Sequence, residues 1–306
     1  EYDGTPYCGW QKQTAHPSVQ AVIEEACTTF MGGEEVIEVQ CAGRTDAGVH
    51  ARAQVVHVDF ASEREPHAIV RGLNGLMIHH PVAVLAAEAV APDFSARFDA
   101  TRRHYLYRIV NRKGQPALDK TRAWHVHQPL DLTRMQEAAE LLIGRHDFSS
   151  FRGGECQAAS PIKTLETLEV RARADNPEQV MIYTSARSFL HHQVRNMVGT
   201  LKMIGEGKWS ADDITRILKA RGVDVQRHQV ERRLLQQMGR LAARRRAEHA
   251  GVSTRGATRT PRTAARDRVR RALPCGARSR DRGRLGAAVG AAEGAAVGSA
   301  VGTAVG

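Results

Sequence analysis

Residues Gly43-Arg44-Thr45-Asp46-Ala47-Gly48-Val49-His50-Ala51 set one carboxylate between a guanidinium and a tight glycine turn. An aspartate held this way can act as a nucleophile or stabilise a cation at a reacting carbon. Thr45 and Asp46 favour local hydrogen bonds from side chain to backbone. Gly48 accepts a positive φ without steric cost, and the alternation that follows reads as a strand. A short loop therefore presents Asp46 at the end of a strand. The ordinary alternative for a bare Asp-x-Gly is a hairpin turn with a solvated carboxylate. In a closed site desolvation would raise the carboxyl pKa, so a working Asp46 needs a cation within about 4 to 6 Å. Arg44 and Arg195 are the candidates.

The elements that must position this loop are legible as hydrophobic periodicity. Pro17 and Ser18 open a segment whose Val19, Val22, Ile23, Ala26, Cys27 and Phe30 fall on one helical stripe. Strands are expected at 36–41, 54–60, 82–87 and 105–110, each bounded by turn residues. A second helix starts at an Asp131 N-cap, turns Leu132, Met135, Ala139 and Leu142 inward, and stops at Gly144. Strands at 162–170 and 180–184 lead to a helix over 189–204 that Gly205 closes. Ser210 to Asp213 caps a last one carrying Ile214, Ile217 and Leu218. The order is α+β, in two halves each with strands and a long helix: residues 1–98 with the Asp46 loop, and residues 99–220, joined near 97–103.

Composition bounds the rest. With 42% hydrophobic and 25% charged residues in a chain of 306, a soluble protein of two modest cores is expected. No run of eighteen apolar residues occurs, and Glu1-Tyr2-Asp3-Gly4 has neither a basic nor an apolar leader region, so a cytoplasmic location and no membrane partner are expected. The chain opens in what reads as the middle of a strand, and a few further residues are expected upstream. Cys8, Cys27, Cys41, Cys156 and Cys275 are odd in number and far apart, which suggests reduced thiols rather than disulfides or a zinc ribbon. The pairs His191-His192 and His79-His80 carry no His-Glu-x-x-His pattern, and neighbouring histidines on one element seldom face one ion, so no metal is expected.

The net charge of +11 is not spread evenly. Residues 1–220 hold 25 Lys plus Arg against 27 Asp plus Glu, whereas residues 221–306 hold 19 against 6. Bulk charge therefore lends no support to nucleic-acid binding by the first 220 residues. Such binding would rest on a cluster drawn from Arg44, Arg52, Arg102, Arg103, Arg108 and Arg195. The tail lacks Lys, Ile, Phe, Tyr, Trp and Asn and is rich in Arg, Ala and Gly. Residues 231–249 fit an amphipathic helix; the remainder reads as disordered, with the composition of GC-rich coding DNA read in a shifted frame, or as a basic arm.

Five stretches together resemble the tRNA pseudouridine synthase A family over about residues 1–220. They are Glu1-Tyr2-Asp3-Gly4-Thr5, the Asp46 loop, Phe94-Ser95-Ala96-Arg97-Phe98, His146-Asp147-Phe148-Ser149-Ser150-Phe151 and Phe189-Leu190-His191-His192-Gln193-Val194-Arg195-Asn196-Met197-Val198-Gly199. The resemblance implies a pseudouridine synthase fold, with two similar α/β halves sharing an extended, mostly antiparallel sheet around a central cleft. It implies a cofactor-free homodimer that isomerises uridine to pseudouridine on the 3′ side of the tRNA anticodon stem-loop. Asp46 would be the nucleophile, Arg195 its cationic partner, and Tyr105 the active-site tyrosine that stacks on the uracil and helps to remove the C5 proton, with Tyr107 in reserve. Arg44 would enter the RNA stack as the target base leaves it. Thr45, Gly48, His50 and Arg103 would complete the substrate-binding set.

Taken singly, each residue has an ordinary alternative. Arg195 could be a surface charge, Tyr105 a half-buried strand aromatic, and Arg44 a solvated turn residue. The family's final apolar strand is absent after residue 220, which would leave a sheet edge open and one wall of the site missing. A tRNA-binding protein without catalysis, or an inactive frame-shifted product, therefore stands beside the active synthase. Attack at the sugar, attack at the base and elimination to a glycal would all use the same residues.

Overall fold

The computed structural model describes residues 1–33, 35–154 and 156–220, together with the backbone of two strands at 285–289 and 299–304. The expected helix at 231–249 lies outside the described residues.

Helix α1 (Val19–Phe30) begins where the Ser18 side chain accepts a hydrogen bond from the Ala21 amide, and it buries Val19, Ile23, Ala26 and Cys27. Strands β1 (Val39–Cys41), β2 (His50–Ala53) and β3 (Val56–Phe60) follow. Helix α2 (Pro66–Leu76) and strand β4 (Ala87–Val90) complete the first half. The second half contains β5 (Arg102–Asn111), β6 (Trp124–Val126), α3 (Leu132–Glu140), β7 (Gly144–Asp147) and a single turn of 3-10 helix at Ser149–Phe151. It continues through β8 (Ile162–Arg173), β9 (Asn176–Ala186), α4 (Gln193–Gly205) and α5 (Ala211–Lys219). Asp131 caps α3 as expected, and Ser210 with Asp213 forms a reciprocal capping box on α5.

The apolar residues separate into two clusters. One joins Trp10, Ile23, Cys27, Val58 and Leu73 beneath α1 and α2. The other joins Tyr107, Phe148, Leu168, Ile182 and Met197 beneath α3 and α4. Each large side chain fully buried this way contributes roughly 1.5 to 3 kcal/mol. A small third contact, Ala42 with Ala100 and Val55, lies where the two halves meet.

The strands form a four-stranded sheet in the order β1-β3-β10-β4 and a seven-stranded one in the order β2-β11-β5-β9-β8-β7, with β6 beside β5. Here β10 is Leu285–Val289 and β11 is Ser299–Ala304. All pairings are antiparallel except β5 with β6 and β5 with β11. Residues 285–289 and 299–304 of the tail, read from the sequence as disordered or as a basic arm, form these two strands. An open ladder needs only backbone donors and acceptors, which these two segments supply.

Three further differences have clear causes. Gly205 ends α4 from within the helix and not as a left-handed residue beyond it. It is the last helical residue, and a Cβ there would lie 2.7 Å from the Met135 sulfur, so it permits close packing while Gly207, at φ +70°, makes the turn. The stretch 82–87 is not a strand through its length, because the Asn74 side chain takes both backbone groups of Val84 at 2.8 and 2.9 Å. Helix α4 starts at Gln193 rather than at 189, because His192 adopts the left-handed conformation at φ +60°.

Candidate active site

The Asp46 loop is held from below by the N-terminal segment. The Trp10 amide donates to the Thr45 carbonyl at 3.0 Å, and the Gly48 amide donates to the Tyr7 carbonyl at 3.3 Å. The Val49 amide closes the turn on the Asp46 carbonyl at 3.1 Å, with Gly48 at φ +78°. The Thr45 hydroxyl is hydrogen bonded to the Tyr2 hydroxyl at 2.7 Å and is buried. Gly9, at φ +100°, lies so close that a Cβ would meet the Thr45 carbonyl oxygen at 2.7 Å. Thr45 and Gly48 therefore shape the loop, and the turn fixes where the Asp46 carboxylate points.

That carboxylate meets three side chains, Arg195 in the first turn of α4 and the two histidines directly before it. Oδ2 lies 3.4 Å from Arg195 Nη2 and 3.4 Å from His192 Nε2, and Oδ1 lies 3.7 Å from His191 Nε2. The Arg195 side chain is only 12% exposed, against 32% for Asp46, so the guanidinium is largely buried while the carboxylate stays partly open to solvent. The expectation that Arg195 approaches Asp46 agrees with this geometry. Arg44 does not share the role: it is exposed and makes no hydrogen bond or ion pair among the described residues.

The histidine pair is the part that sequence reasoning missed. The rings of His191 and His192 stack with centroids 3.7 Å apart and planes at 30°. Their Nδ1 atoms face Gly153, where a Cβ would come within 2.9 and 3.0 Å, and the Gly153 amide donates to the His191 carbonyl at 2.7 Å. Neighbouring histidines on a helix diverge by about 100°. The left-handed backbone of His192, the one non-glycine positive φ among the described residues, removes that divergence. The donor atoms of Asp46, His191 and His192 all lie within 4.8 Å of one another. This corrects the reasoning that adjacent histidines would not converge. The available signal was their position directly before the first turn of α4.

Tyr105 on β5 reaches the same place from the sheet. Its ring packs edge-on against Phe189 at 5.1 Å, and its hydroxyl lies 4.0 Å from where a Cβ of Gly43 would stand. Burial pushes the Tyr105 phenol up to about 12, and the nearby Asp46 carboxylate adds to the effect. Tyr107, two residues on, is 1% exposed and packs edge-on against Trp124 within the second core. Burial raises its phenol to about 12 as well, opposed by Arg195. Tyr107 thus supports the site from beneath.

His50 and Arg103, expected against substrate, are engaged within the protein. His50 Nδ1 lies 3.0 Å from Asp3 Oδ1 and 3.2 Å from the Gly4 amide. Its Nε2 lies 3.1 Å from the Thr121 carbonyl, which only accepts, so that nitrogen carries a proton. With Arg122 also 3.4 Å from Asp3, this strut ties the exit of the Asp46 loop to the β5–β6 connection of the other half. The Arg103 guanidinium donates to the carbonyls of Ala42 at 2.6 and 3.1 Å, Arg97 at 2.7 Å, Ala100 at 3.3 Å and Arg187. Of the other arginines, Arg102 pairs with Glu166 and Arg108 with Asp119. Arg52, like Arg44, is exposed without a hydrogen bond or ion pair among the described residues.

An aspartate beside a largely buried guanidinium, with an aromatic ring and a neutral phenol next to it, has the parts for nucleophilic or cation-stabilising chemistry at a carbon centre. A family model described as tRNA pseudouridine synthase matches residues 1–99 and 138–234. The chain is 57% identical over 221 residues to tRNA pseudouridine synthase A of Rhodospirillum centenum, covering 72% of this chain and 88% of that protein. It is 54% identical over 221 residues to the protein of that name from Azorhizobium caulinodans, covering 72% and 84%. The figure for Xanthobacter autotrophicus is 53% over 220 residues, covering 72% and 88%. The chain belongs to the tRNA pseudouridine synthase family.

Proposed function

We propose that this chain isomerises uridine to pseudouridine in tRNA, on the 3′ side of the anticodon stem-loop, with Asp46 as nucleophile. The carrying observation is the Asp46–Arg195 contact at 3.4 Å, made across the two halves with Tyr105 beside it. Arg195 supplies the counter-charge beside the carboxylate as substrate excludes water. Tyr105 offers an aromatic wall for the extruded uracil, in the manner of enzymes that take a base out of its stack. Arg44, exposed two residues before Asp46, would fill the gap the base leaves. The bond from the base N1 to the sugar breaks, C5 takes over the sugar, the C5 proton departs and N1 gains one, so no redox partner is needed. A homodimer in the cytoplasm, with one tRNA crossing both subunits, is the assembly that fits this reading.

The test is release of tritium from C5-labelled uridine in unmodified tRNA. Release by the chain, lost in Asp46→Asn with tRNA affinity retained, supports the proposal. Equal release from both proteins, or none from folded protein that binds tRNA, overturns it.

A further inference from the structure

We infer that Asp46, His191 and His192 form a binding site for a zinc-like divalent cation, and that occupancy of this site switches the nucleophile off. The inference rests on the proposed role of Asp46 for its consequence, but not for the binding itself.

The donor set is two imidazole nitrogens and one carboxylate oxygen, the mixture that borderline cations such as Zn2+ prefer and that Mg2+ does not. With metal–ligand bonds of about 2.0 to 2.1 Å, the donors of a tetrahedral site stand about 3.3 Å apart. The carboxylate-to-imidazole separations are 3.4 and 3.7 Å, and all three donors fall within 4.8 Å. Three protein ligands leave a fourth position for water.

Two features make the arrangement more than proximity. The positive φ of His192 costs backbone energy and brings both Nε2 atoms to the same carboxylate. Gly153 closes off the Nδ1 side of both rings, so Nε2 is the nitrogen each offers to Asp46. The rings stack, so capture of an ion requires them to fan apart about χ2, a soft torsion for histidine. His191, with 36% of its side chain exposed, has room to turn. The buried Nδ1 of His191 has no hydrogen-bond partner. Resident metal sites hold the second imidazole nitrogen with a carbonyl or carboxylate, so the site has the character of an inhibitory stop and not of a permanent cofactor.

Arg195 supplies an internal check. It competes for Asp46 Oδ2 from 3.4 Å with a positive charge, and it must give way when the cation arrives. Removing that charge should tighten metal binding, whereas removing either imidazole should weaken it.

The experiment is titration of the untagged chain with Zn2+ against a chromophoric chelator, without tRNA. Wild type should bind one ion displaced by the chelator. His191→Gln and His192→Asn should each weaken it by about tenfold or more. Asn tolerates the left-handed backbone at 192, so loss of fold does not confound that variant. Arg195→Met should strengthen binding severalfold. Mg2+ should not compete. In the tritium assay, Zn2+ should abolish release and the chelator should restore it, with the half-inhibiting concentration raised in the two histidine variants relative to each variant's own metal-free rate. Binding that ignores all three substitutions would place the ion elsewhere, for example on cysteine, and would overturn the inference. So would the absence of binding up to about 100 µM, a weak affinity for a site with three protein ligands. If zinc binds as described but no uridine is ever isomerised, the proposed function fails and the cation site stands.

Discussion

Gly9 and Thr45 are in contact through backbone alone: a single added carbon on Gly9 would stand 2.7 Å from the Thr45 carbonyl oxygen. The N-terminal segment and the loop carrying Asp46 are therefore matched in shape at a point where neither can yield. Gly48, in the same loop, also has a positive φ, but a Cβ there meets nothing within 4 Å. Gly48→Ala should cost only the strain of the left-handed backbone, about 1 to 2 kcal/mol, and keep most of the turnover. Gly9→Ala adds a steric collision and should lose at least about tenfold in kcat with a larger drop in stability. Urea midpoints and tritium release on the two variants check this, and equal losses from both would refute it.

Arg195 and Asp46 work as a pair, so charge alone should not suffice. Arg195→Lys keeps a cation on a shorter, more strongly hydrated head and should lower kcat by about 10- to 100-fold. Arg195→Met should lower it further, by about a thousandfold. Little change in KM for either variant is the accompanying expectation, read from steady-state kinetics on a single tRNA.

The His50 strut connects the exit of the Asp46 loop with the Thr121 carbonyl and, through Asp3, with Arg122. His50→Leu removes both nitrogens and leaves the Gly4 amide and Thr121 carbonyl unpaired, at about 1 to 3 kcal/mol for each group left buried. Because the strut spans the two halves, kcat should fall along with stability. Arg122→Ala cuts only the exposed end and should change either by little. A variant of His50 with full activity and an unchanged urea midpoint would show that the strut does not position the loop.

The Tyr105 phenol has a definite alkaline signature. Its value is raised in the folded protein from 10.0 to about 12, so as pH climbs the unfolded chain loses this proton first. The stability contributed by the neutral phenol is whole below the ordinary value and drains away between about 10 and 12. Tyr105→Phe should therefore flatten the fall of the unfolding midpoint over that interval. An identical slope in both proteins would contradict the burial of this phenol. The same shift keeps the oxygen protonated at neutral pH, so Tyr105 can relay a proton but not serve as a phenolate base.

How much of this could be read before the structure differs from element to element. Helices α1, α3 and α5 announced themselves because their caps and apolar stripes are local. Helix α2 did not, because Gly72 and Gly75 each weaken a helical reading by about 1 kcal/mol. Gly72 is explained only in three dimensions, where a Cβ would strike the Phe30 ring at 2.4 Å. The stretch around Val84 alternates like a strand, yet its hydrogen bonds go to Asn74, a partner ten residues away that periodicity does not reveal. In the site, the approach of Arg195 to Asp46 is legible because motif and charge chemistry point the same way. The convergence of His191 with His192 depends on one backbone dihedral, which no residue pattern states. Arg103 and His50 carry the same polar groups as substrate-binding residues, and only their distances to backbone atoms separate the two uses.

The Arg103 guanidinium gathers carbonyl oxygens from Ala42, Arg97, Ala100 and Arg187. A carbonyl is present whatever side chain accompanies it, so this seam makes unequal demands on its participants. Residues 97 and 187, both exposed, are free to drift in a mutational library, while 42 and 100 are limited to small side chains by their contact with each other. Position 103 itself should admit no other residue, since none offers five donors in one plane. Tolerance to change across the boundary between the halves is thus concentrated away from a single amino acid, on which the mutual alignment of the segments carrying Ala42, Arg97, Ala100 and Arg187 depends.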